Sequence, residues 1–278
     1  MPELPEVETV IRSLFEIKGK VIKDVEIIKE NIIKCGTSKE DFISRIKNQK
    51  INDIKRKGKY IFIILDEWVI INHLRMTGKY FLKESFANKG QINHLSLAFY
   101  LDDGKKILFC DPRNFATFHL QKIGEYEKLY PYNKIGLDLI NDEVSSDFLF
   151  SSFRTKKIPI KAALLEQNII SGIGNIYASE ILFLINVHPL EPANSLSKDK
   201  IDEMLKITRK VLQKSIDLKG SSIVDFINPN NEKGSFQNEL KVYGKAGKEC
   251  YVCLEKISRI NIDNRSTFFC QNCQVLKI

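Results

Sequence analysis

Hydrophobic positions near the start of the chain follow the spacing of one helical face. In "EVETVIRSLFEIKGK" the apolar residues recur at intervals of three and four, at Val7, Val10, Ile11, Leu14 and Ile17. Gly19 follows at a position where helices commonly end. The pattern predicts a helix as the first element, directly behind the stiff and acidic "MPELPE".

From Val21 to about Leu120 the pattern changes to alternating runs of β-branched and aromatic residues, such as "YIFIIL", "WVIINHLRM" and "FATFHL". Such runs are typical of strands. Within "LDDGKK", Asp103 and Gly104 form the signal for a hairpin turn. This half of the chain is therefore predicted to be a β-sandwich or barrel with a leading helix.

Helical spacing returns after about residue 137, in "SSDFLFSSFR", "KAALLEQNII", "NIYASEILFLI" and "KDKIDEMLKITRKVLQKSIDL". Residues 219–239 are rich in Gly, Ser, Asn and Pro and predict a long, mobile loop, a kind of segment that is often functional. We expect an α+β multidomain fold with domains at 1–135, 136–240 and 241–278. The loop 219–239 belongs to the second domain, which is mainly helical.

The composition is that of an ordinary globular protein, with 43% hydrophobic and 28% charged residues, which excludes wholesale disorder. Apolar runs stay shorter than the roughly 18 residues of a membrane span, and the acidic N-terminus is unlike a signal peptide. We expect a cytosolic protein. Its formal net charge of +8 favours a polyanionic partner.

Four cysteines form the pattern C-x2-C-x16-C-x2-C, at Cys250, Cys253, Cys270 and Cys273. This spacing is typical of a tetrahedral zinc site. Four thiolates would fill the coordination shell and leave no place for water, so the pattern predicts one structural zinc ion. The alternative, four unrelated buried thiols, does not easily explain two matched C-x2-C pairs. Cys35 and Cys110 are expected in the core.

Between the cysteine pairs, "EKISRINIDNRSTFF" predicts a hairpin that turns at Asp263 and Asn264, with Arg265 displayed near its tip. An arginine there is either a solvated surface charge or a phosphate contact.

The stretch "SGIGNIYASEIL" places Gly172 and Gly174 directly before a helix that begins near Asn175. Free N–H groups at a helix start attract phosphate. The stretch lacks the lysine and hydroxyl residue of a P-loop, which argues against nucleotide hydrolysis. Two helices joined by such a turn fit a helical DNA-binding hairpin, while ordinary turn chemistry is the alternative.

The first residues could also carry chemistry. Removal of Met1 would leave Pro2 as a free secondary amine, and an α-amino group titrates near pH 8, so part of it is nucleophilic under cellular conditions. Glu3 lies beside it and Glu6 follows at the helix start. The alternative is that these carboxylates only cap the helix and complement its dipole.

Together with the cysteine pattern, "PELPEVET" resembles the start of bacterial formamidopyrimidine-DNA glycosylases of the formamidopyrimidine-DNA glycosylase/endonuclease VIII family. The resemblance continues through "KRKGKY", "NHLRMTGKY", "DPRNF", "LLEQNIISGIGNIYASEIL", "FQNELKVYGKAGKEC" and "RSTFFCQNCQ", in the family's order. It implies a catalytic β-sandwich with a leading helix, a helix-two-turn-helix domain and a zinc finger. It also implies excision of oxidised purines and strand cleavage, with double-stranded DNA carrying oxidised bases or abasic sites as the partner of a monomer in the bacterial cytoplasm, at the nucleoid.

The resemblance also assigns roles by motif. Pro2 is the implied nucleophile, Glu3 the general acid/base, and Lys59 and Arg265 complete the catalytic set with phosphate contacts. Met76, Arg113 and Phe115 match the trio that fills the space left by a flipped nucleotide; from their residue types alone, Met76 and Phe115 would be core residues. The other implied substrate-binding residues are Glu6, His94, Lys157, Asn175 and Tyr243.

The chain departs from the family at two places. "DPRNFA" has Asn114 and Ala116 where the family commonly has a basic residue and glycine, and "SSIVDF" has Val224 where relatives usually carry Lys or Arg near the damaged base. The second departure makes the preference between 8-oxoguanine and formamidopyrimidines an open question. Two alternatives also stay open: an endonuclease VIII-like enzyme for oxidised pyrimidines, against which Leu4 argues, and a zinc-ribbon DNA-binding protein without catalysis.

Overall fold

The chain forms two compact units in a computed structural model that describes residues 1–34, 36–83, 93–223 and 226–277. The first unit comprises Met1–Asn133 and Leu218–Ser235, and the second comprises Lys134–Asp217 and Phe236–Ile278. The division into three domains at 1–135, 136–240 and 241–278 stays a prediction. Within the described part of the chain, the helices are too short or too polar to cross a membrane.

The described residues of the first unit form two α-helices and eight strands. They are α1 (Leu4–Leu14), β1 (Ile22–Ile27), α2 (Lys39–Ile46), β2 (Asp53–Lys57), β3 (Tyr60–Ile64), β4 (Trp68–His73), β5 (Lys79–Lys83), β6 (Leu95–Leu101), β7 (Lys106–Cys110) and β8 (Thr117–Lys122). The strands form two four-stranded antiparallel sheets, in the orders β1-β6-β7-β5 and β2-β3-β4-β8.

One hydrophobic core joins the two sheets and the first helix. Phe109 of β7 meets Phe118 of β8 edge to face, with ring centroids 4.8 Å apart. Val10 and Leu14 of α1 are buried in the same core, because they lie on its apolar face. The predicted sandwich with a leading helix is confirmed. Cys110 is buried as expected, while Cys35 lies outside the described residues.

Two details of this unit differ from the sequence prediction. Helix α1 ends at Leu14 and continues as a short 3-10 turn over Phe15–Ile17. Helix α2 was not predicted, because it lies within a β-rich stretch. The Ser38 hydroxyl caps it by accepting a hydrogen bond from the Asp41 N–H at 3.0 Å.

The second unit is mainly helical. Its elements are β9 (Leu137–Asp138), α3 (Ser146–Phe153), α4 (Ile160–Leu165), β10 (Ile170–Ser171), α5 (Asn175–Leu184), α6 (Lys198–Asp217), β11 (Ser258–Ile262) and β12 (Arg265–Phe269). The four predicted helices are present. The second is shorter than its apolar spacing suggests, because the Gln167 side chain builds a turn. It donates to the carbonyls of Leu165 and Ile173 at 2.8 and 2.9 Å and accepts from the Gly172 N–H at 3.0 Å.

The predicted hairpin between the cysteine pairs is confirmed. Strands β11 and β12 pair antiparallel, with Ile262 opposite Arg265. Asp263 and Asn264 both have positive φ angles, of 47° and 59°, which suit a tight two-residue turn. Arg265 therefore lies at the start of the returning strand, and its side chain is exposed.

Candidate functional site

The start of α1 combines helix capping with a buried acidic cluster. Glu3 is the N-cap, its side chain accepts from the Glu6 N–H, and the Glu3 N–H donates to Glu6 Oε2 at 2.9 Å. Pro2, Glu3 and Glu6 are all buried. The positive end of the helix dipole favours both carboxylates there. The carboxylates of Glu3 and Glu6 therefore do cap the helix. They are also the groups to which the resemblance assigns roles in catalysis and substrate binding.

Glu6 also holds the segment 218–235 against the helix start. Its Oε1 atom accepts a hydrogen bond from the Ser221 N–H at 2.7 Å. Gly220 adopts a φ of +79°, and a Cβ there would lie 2.9 Å from the same oxygen. The contact therefore requires glycine at position 220. Val224 and Asp225 lie outside the described residues, so the lesion preference linked to Val224 stays a prediction.

Side-chain hydrogen bonds also join residues 228–232 of this segment to one another and to its start at Lys219. Asn228, 2% exposed, accepts at Oδ1 from the N–H groups of Asn230 and Glu232 at 3.1 and 2.8 Å. Its amide donates to the Glu232 carboxylate, which also pairs with Lys219 at 2.8 Å. The described residues of the predicted loop 219–239 form neither an α-helix nor a strand, and Phe236–Asn238 at its end form a 3-10 helix. The bounds of the loop and its mobility stay predictions.

Lys59 follows Gly58 in the tight turn between β2 and β3 and is 5% exposed. Two residues before the turn, Arg56 pairs with Glu8 of α1 at 2.9 Å, and the Arg56 side chain is 1% exposed. This ion pair fixes the turn to α1, the helix that follows Pro2 and Glu3. Sequence reasoning did not single out Arg56 or Glu8, and only the "KRKGKY" motif contained a signal for the arginine.

Met76, Arg113 and Phe115 are displayed on loops. Met76 is 46% exposed and Phe115 is 53% exposed, so the expectation from residue type that they are core residues is wrong. The Arg113 guanidinium lies 4.7 Å from the centroid of the Phe115 ring. Large apolar side chains held in solvent are suited to contact a partner. Their assigned role in filling a void stays a prediction.

His94 is exposed and has a φ of 63°. Two other histidines, which sequence reasoning missed, are buried in the sheet β2-β3-β4-β8. Burial, together with the charges of Arg75 and Lys59, lowers the pKa of His73 to about 3. Burial and the charges of Lys34 and Arg75 lower the pKa of His119 to about 4.

Stability should therefore fall on acidification. An unfolded histidine titrates near 6.5, so the unfolded state binds more protons below that pH, and the stabilisation present above pH 6.5 is lost as the pH falls towards 4 and 3. We expect a loss of about 2 kcal/mol per histidine between pH 7 and pH 5, measured by urea unfolding. His119→Phe should remove its own share of this dependence, about 2 kcal/mol between the two pH values, and the share of His73 should remain. An equally steep dependence in His119→Phe would contradict this assignment.

The second unit brings Asn175, Lys161 and the start of β12 together. Asn175 is the first residue of α5, and its amide donates to the Ser266 carbonyl at 2.9 Å. Lys161, which is fully buried, donates from Nζ to the same carbonyl at 3.3 Å and to Thr267 Oγ1 at 2.7 Å. These three hydrogen bonds fix the chain beside Arg265. Lys161 was not predicted, since lysine is rarely buried.

Glu180 of α5 holds the chain that leads to Tyr243. Its carboxylate accepts from the N–H groups of Lys241, Val242 and Tyr243 at 2.7, 3.0 and 2.8 Å. Burial outweighs these hydrogen bonds and raises the pKa of Glu180. Tyr243 is half-buried and meets Phe268 of β12 edge to face at 5.1 Å. Lys157 is exposed just before α4.

The four cysteines of the repeated C-x2-C pattern lie together. The Sγ atoms of Cys250, Cys253, Cys270 and Cys273 are all within 4.8 Å of one another. Such a set could hold a metal ion. Gln274 supports the cluster: its Oε1 accepts from the Cys270 N–H at 3.0 Å, and its amide donates to the Val187 carbonyl at 2.7 Å.

Comparisons with known proteins agree with this arrangement. Residues 1–118 match the family model of the formamidopyrimidine-DNA glycosylase N-terminal domain, and residues 135–226 match that of the formamidopyrimidine-DNA glycosylase H2TH domain. The chain is 40% identical to the formamidopyrimidine-DNA glycosylase of Bacillus subtilis, over 100% of both chains. It is 38% identical to that of Lactobacillus helveticus, over 99% of both.

Solved structures of Lactococcus lactis Fpg have the same fold. The complex with DNA containing an abasic site superposes with a TM-score of 0.90 at 34% identity, covering 98% of this chain and 99% of the other. A complex with DNA containing an oxidised pyrimidine also gives a TM-score of 0.90 at 34% identity, covering 99% and 100%.

Two sheets with a capped acidic helix, followed by a helix-two-turn-helix unit with a four-cysteine hairpin, define a class of multidomain α+β proteins. Within that class, the chain belongs to the formamidopyrimidine-DNA glycosylase family.

Proposed function

We propose that this protein is a bifunctional DNA glycosylase and abasic-site lyase of base excision repair that removes oxidised purines from duplex DNA. The observation that carries the proposal is the buried start of α1, where Pro2 directly precedes two carboxylates held in a capping box. Family membership supplies the substrate class, formamidopyrimidines and 8-oxoguanine.

Pro2 and Glu3 divide the work of base removal. Once Met1 is removed, the Pro2 amine attacks C1′ of the damaged nucleotide, the glycosidic bond breaks, and the base leaves with a proton. The bond formed to nitrogen becomes an iminium ion as the sugar ring opens. Glu3 donates and accepts the protons of these steps. Because proline is a secondary amine, its iminium cannot lose an N–H proton and so keeps its positive charge.

The same iminium explains strand cleavage. Its charge acidifies the C2′ protons, so that removal of one of them expels the 3′ phosphate by β-elimination. A second elimination expels the 5′ phosphate, and hydrolysis of the iminium by water then releases the sugar remnant and restores the Pro2 amine. Lys59 and Arg265 belong to this part of the proposal as phosphate contacts.

Access to the sugar requires the nucleotide to leave the stack. The exposed Met76, Arg113 and Phe115 are suited to fill the space it vacates, with Arg113 facing the unpaired base. His94, Lys157, Asn175 and Tyr243 complete the proposed contacts to DNA. Binding through these groups should weaken with salt, because phosphates held by cations release counterions.

We place one structural zinc ion among Cys250, Cys253, Cys270 and Cys273, because an all-thiolate set of this spacing suits zinc and leaves no open position. We also propose that the protein acts as a monomer in the bacterial cytoplasm, at the nucleoid.

A strand-cleavage assay tests the proposal. Duplexes with 8-oxoguanine, a formamidopyrimidine, an oxidised pyrimidine or an undamaged base are incubated with protein whose Met1 removal is verified by mass. We expect cleavage of the purine lesions, with phosphate at both ends of the gap. Preference for the pyrimidine lesion over both purine lesions would favour the endonuclease VIII-like alternative. DNA binding without any cleavage would favour the alternative of a zinc-ribbon DNA-binding protein without catalysis.

Met76 gives a prediction that separates function from stability. Since its side chain is 46% exposed, Met76→Ala should change the free energy of unfolding by less than about 0.5 kcal/mol. Excision from duplex DNA should fall by roughly tenfold or more, because the vacated space stays unfilled.

The control is Met204→Ala, which removes a methionine that is 1% exposed in the second unit. It should destabilise the fold by about 2–5 kcal/mol. Urea unfolding and single-turnover excision rates measure both effects. Unchanged excision by Met76→Ala would contradict the role of Met76.

A further inference from the structure

Two loops carry the exposed trio, and one buried carboxylate joins them. Residues 74–78 connect β4 to β5 and include Met76, while residues 111–116 connect β7 to β8 and include Arg113 and Phe115. Asp111, at the start of the second loop, is 1% exposed. Its Oδ1 atom accepts a hydrogen bond from Thr77 Oγ1 at 2.5 Å, which bridges the loops across 34 positions of the sequence.

The same carboxylate shapes its own loop. Oδ1 also accepts from the Arg113 N–H at 3.2 Å, and Oδ2 accepts from the Ala116 N–H at 2.8 Å. These two N–H groups flank Phe115 closely on either side. The Asp111 backbone adds a link to a third segment, because its N–H donates to the His94 carbonyl at 3.0 Å.

The first loop is equally constrained. The Gly78 N–H donates to the Leu74 carbonyl at 3.0 Å, and a Cβ at Gly78 would lie 2.6 Å from that oxygen. Arg75 has a φ of 54°, and its N–H donates to His73 Nδ1 at 2.9 Å. Met76 thus projects from a fixed turn, and Thr77 is the residue through which that turn meets Asp111.

We propose that Thr77 and Asp111 are positioning residues that couple the Met76 loop to the Arg113 and Phe115 loop, so that the three side chains enter DNA as one unit. The inference rests on the proposed function, because it concerns the same reaction. The bridge acts through the three displayed side chains and touches neither the substrate nor Pro2. Its loss should impair the opening of the duplex and leave the chemistry at Pro2 intact.

Thr77→Val is the sharpest variant, because it keeps the shape of the side chain and removes only the hydroxyl donor. Misplacement of the wedge by about 1 Å should lower single-turnover excision from duplex DNA by roughly 10- to 100-fold. Asp111→Asn should lower it further. Both oxygens of Asp111 accept hydrogen bonds, so either orientation of an asparagine amide would direct an NH2 group at another donor.

Three measurements separate positioning from a general loss of structure. Borohydride trapping on a single-stranded abasic oligonucleotide, which needs no wedge, should stay within about twofold of wild type. The fluorescence of 2-aminopurine opposite the lesion should rise less on binding of Thr77→Val, since the duplex opens less. In a Met76→Ala background, Thr77→Val should add less than about a twofold further loss, because coupled residues are non-additive.

The matched control is Thr208→Val, which removes a buried threonine hydroxyl in the second unit and should leave excision within about twofold of wild type. Equal excision by Thr77→Val and wild type would overturn the inference, as would an equal loss on the duplex and on the single strand. Absence of excision by the wild type would overturn the proposed function itself, and this inference with it.

Discussion

We expect Pro2→Gly to lower the rates of base excision and strand cleavage by roughly 10³-fold or more. Glycine still supplies a terminal amine, but it loses two properties of proline. The pyrrolidine ring fixes the direction of the nitrogen ahead of the Glu3 cap, and the secondary amine forms an iminium that keeps its charge. A glycine imine can lose its proton, which weakens the acidification of the C2′ protons.

Glu3→Gln should lower the same rates by about 10²–10⁴-fold, because the amide retains polar atoms for the helix cap but cannot relay a proton at neutral pH. Both variants should bind lesion-containing DNA with nearly the wild-type affinity. The matched control is Glu16→Gln, which changes an exposed carboxylate that pairs with Lys105 at 3.2 Å. It should excise at the wild-type rate. Cleavage by Pro2→Gly at a rate close to that of the wild type would exclude Pro2 as the nucleophile.

Removal of the proposed zinc ion should also have a large effect, on the affinity for DNA. The strands β11 and β12 have five residues each, and a two-stranded hairpin of that size is marginal alone. Structural zinc contributes about 10 kcal/mol or more to such sites, so its removal should release the hairpin that carries Arg265. Loss of the two charge-assisted hydrogen bonds that the Arg265 guanidinium can give to a phosphate costs about 3–6 kcal/mol, which weakens DNA affinity by roughly 100-fold or more.

Elemental analysis should give one zinc ion per chain, and Cys253→Ser should lose it. The control Cys110→Ala alters a buried thiol outside the cluster and should keep one zinc ion. DNA affinity and metal content should fall together on treatment with a chelator. Full DNA affinity in metal-free protein would contradict the structural role.

Short-range sequence patterns predicted the elements that are specified by residues close together in the chain. Apolar spacing gave α1 and the four helices of the second unit, and turn residues gave both the Asp103–Gly104 hairpin and the hairpin beside Arg265. Helix α2 was missed because its signal, the Ser38 cap, is short and lies among strands. The cysteine pattern predicted a cluster because spacing alone constrains metal ligands.

The candidate site was less predictable, because it is formed by contacts between residues that lie far apart in the sequence. Apolar character placed Met76 and Phe115 in the core, yet Thr77 and Asp111, 34 positions apart, fix the loops that display them. The sequence gives no reason to single out Lys161, since lysine is rarely buried, yet Thr267 Oγ1 and the Ser266 carbonyl accept its hydrogen bonds in the interior. Such partners are far apart in sequence, so a local pattern contains no signal for them.

Peptide mapping of a borohydride-trapped complex identifies the nitrogen that attacks C1′ of the damaged nucleotide. Reduction of the iminium with a duplex that contains a formamidopyrimidine fixes the sugar to the attacking nitrogen, and digestion then locates the adduct by mass. We predict a single adduct, on the N-terminal peptide that begins at Pro2. Reactions with the Pro2→Gly variant should contain no adduct at the same time point. An adduct on a lysine, or cleavage of the strand without any adduct, would contradict catalysis by Pro2.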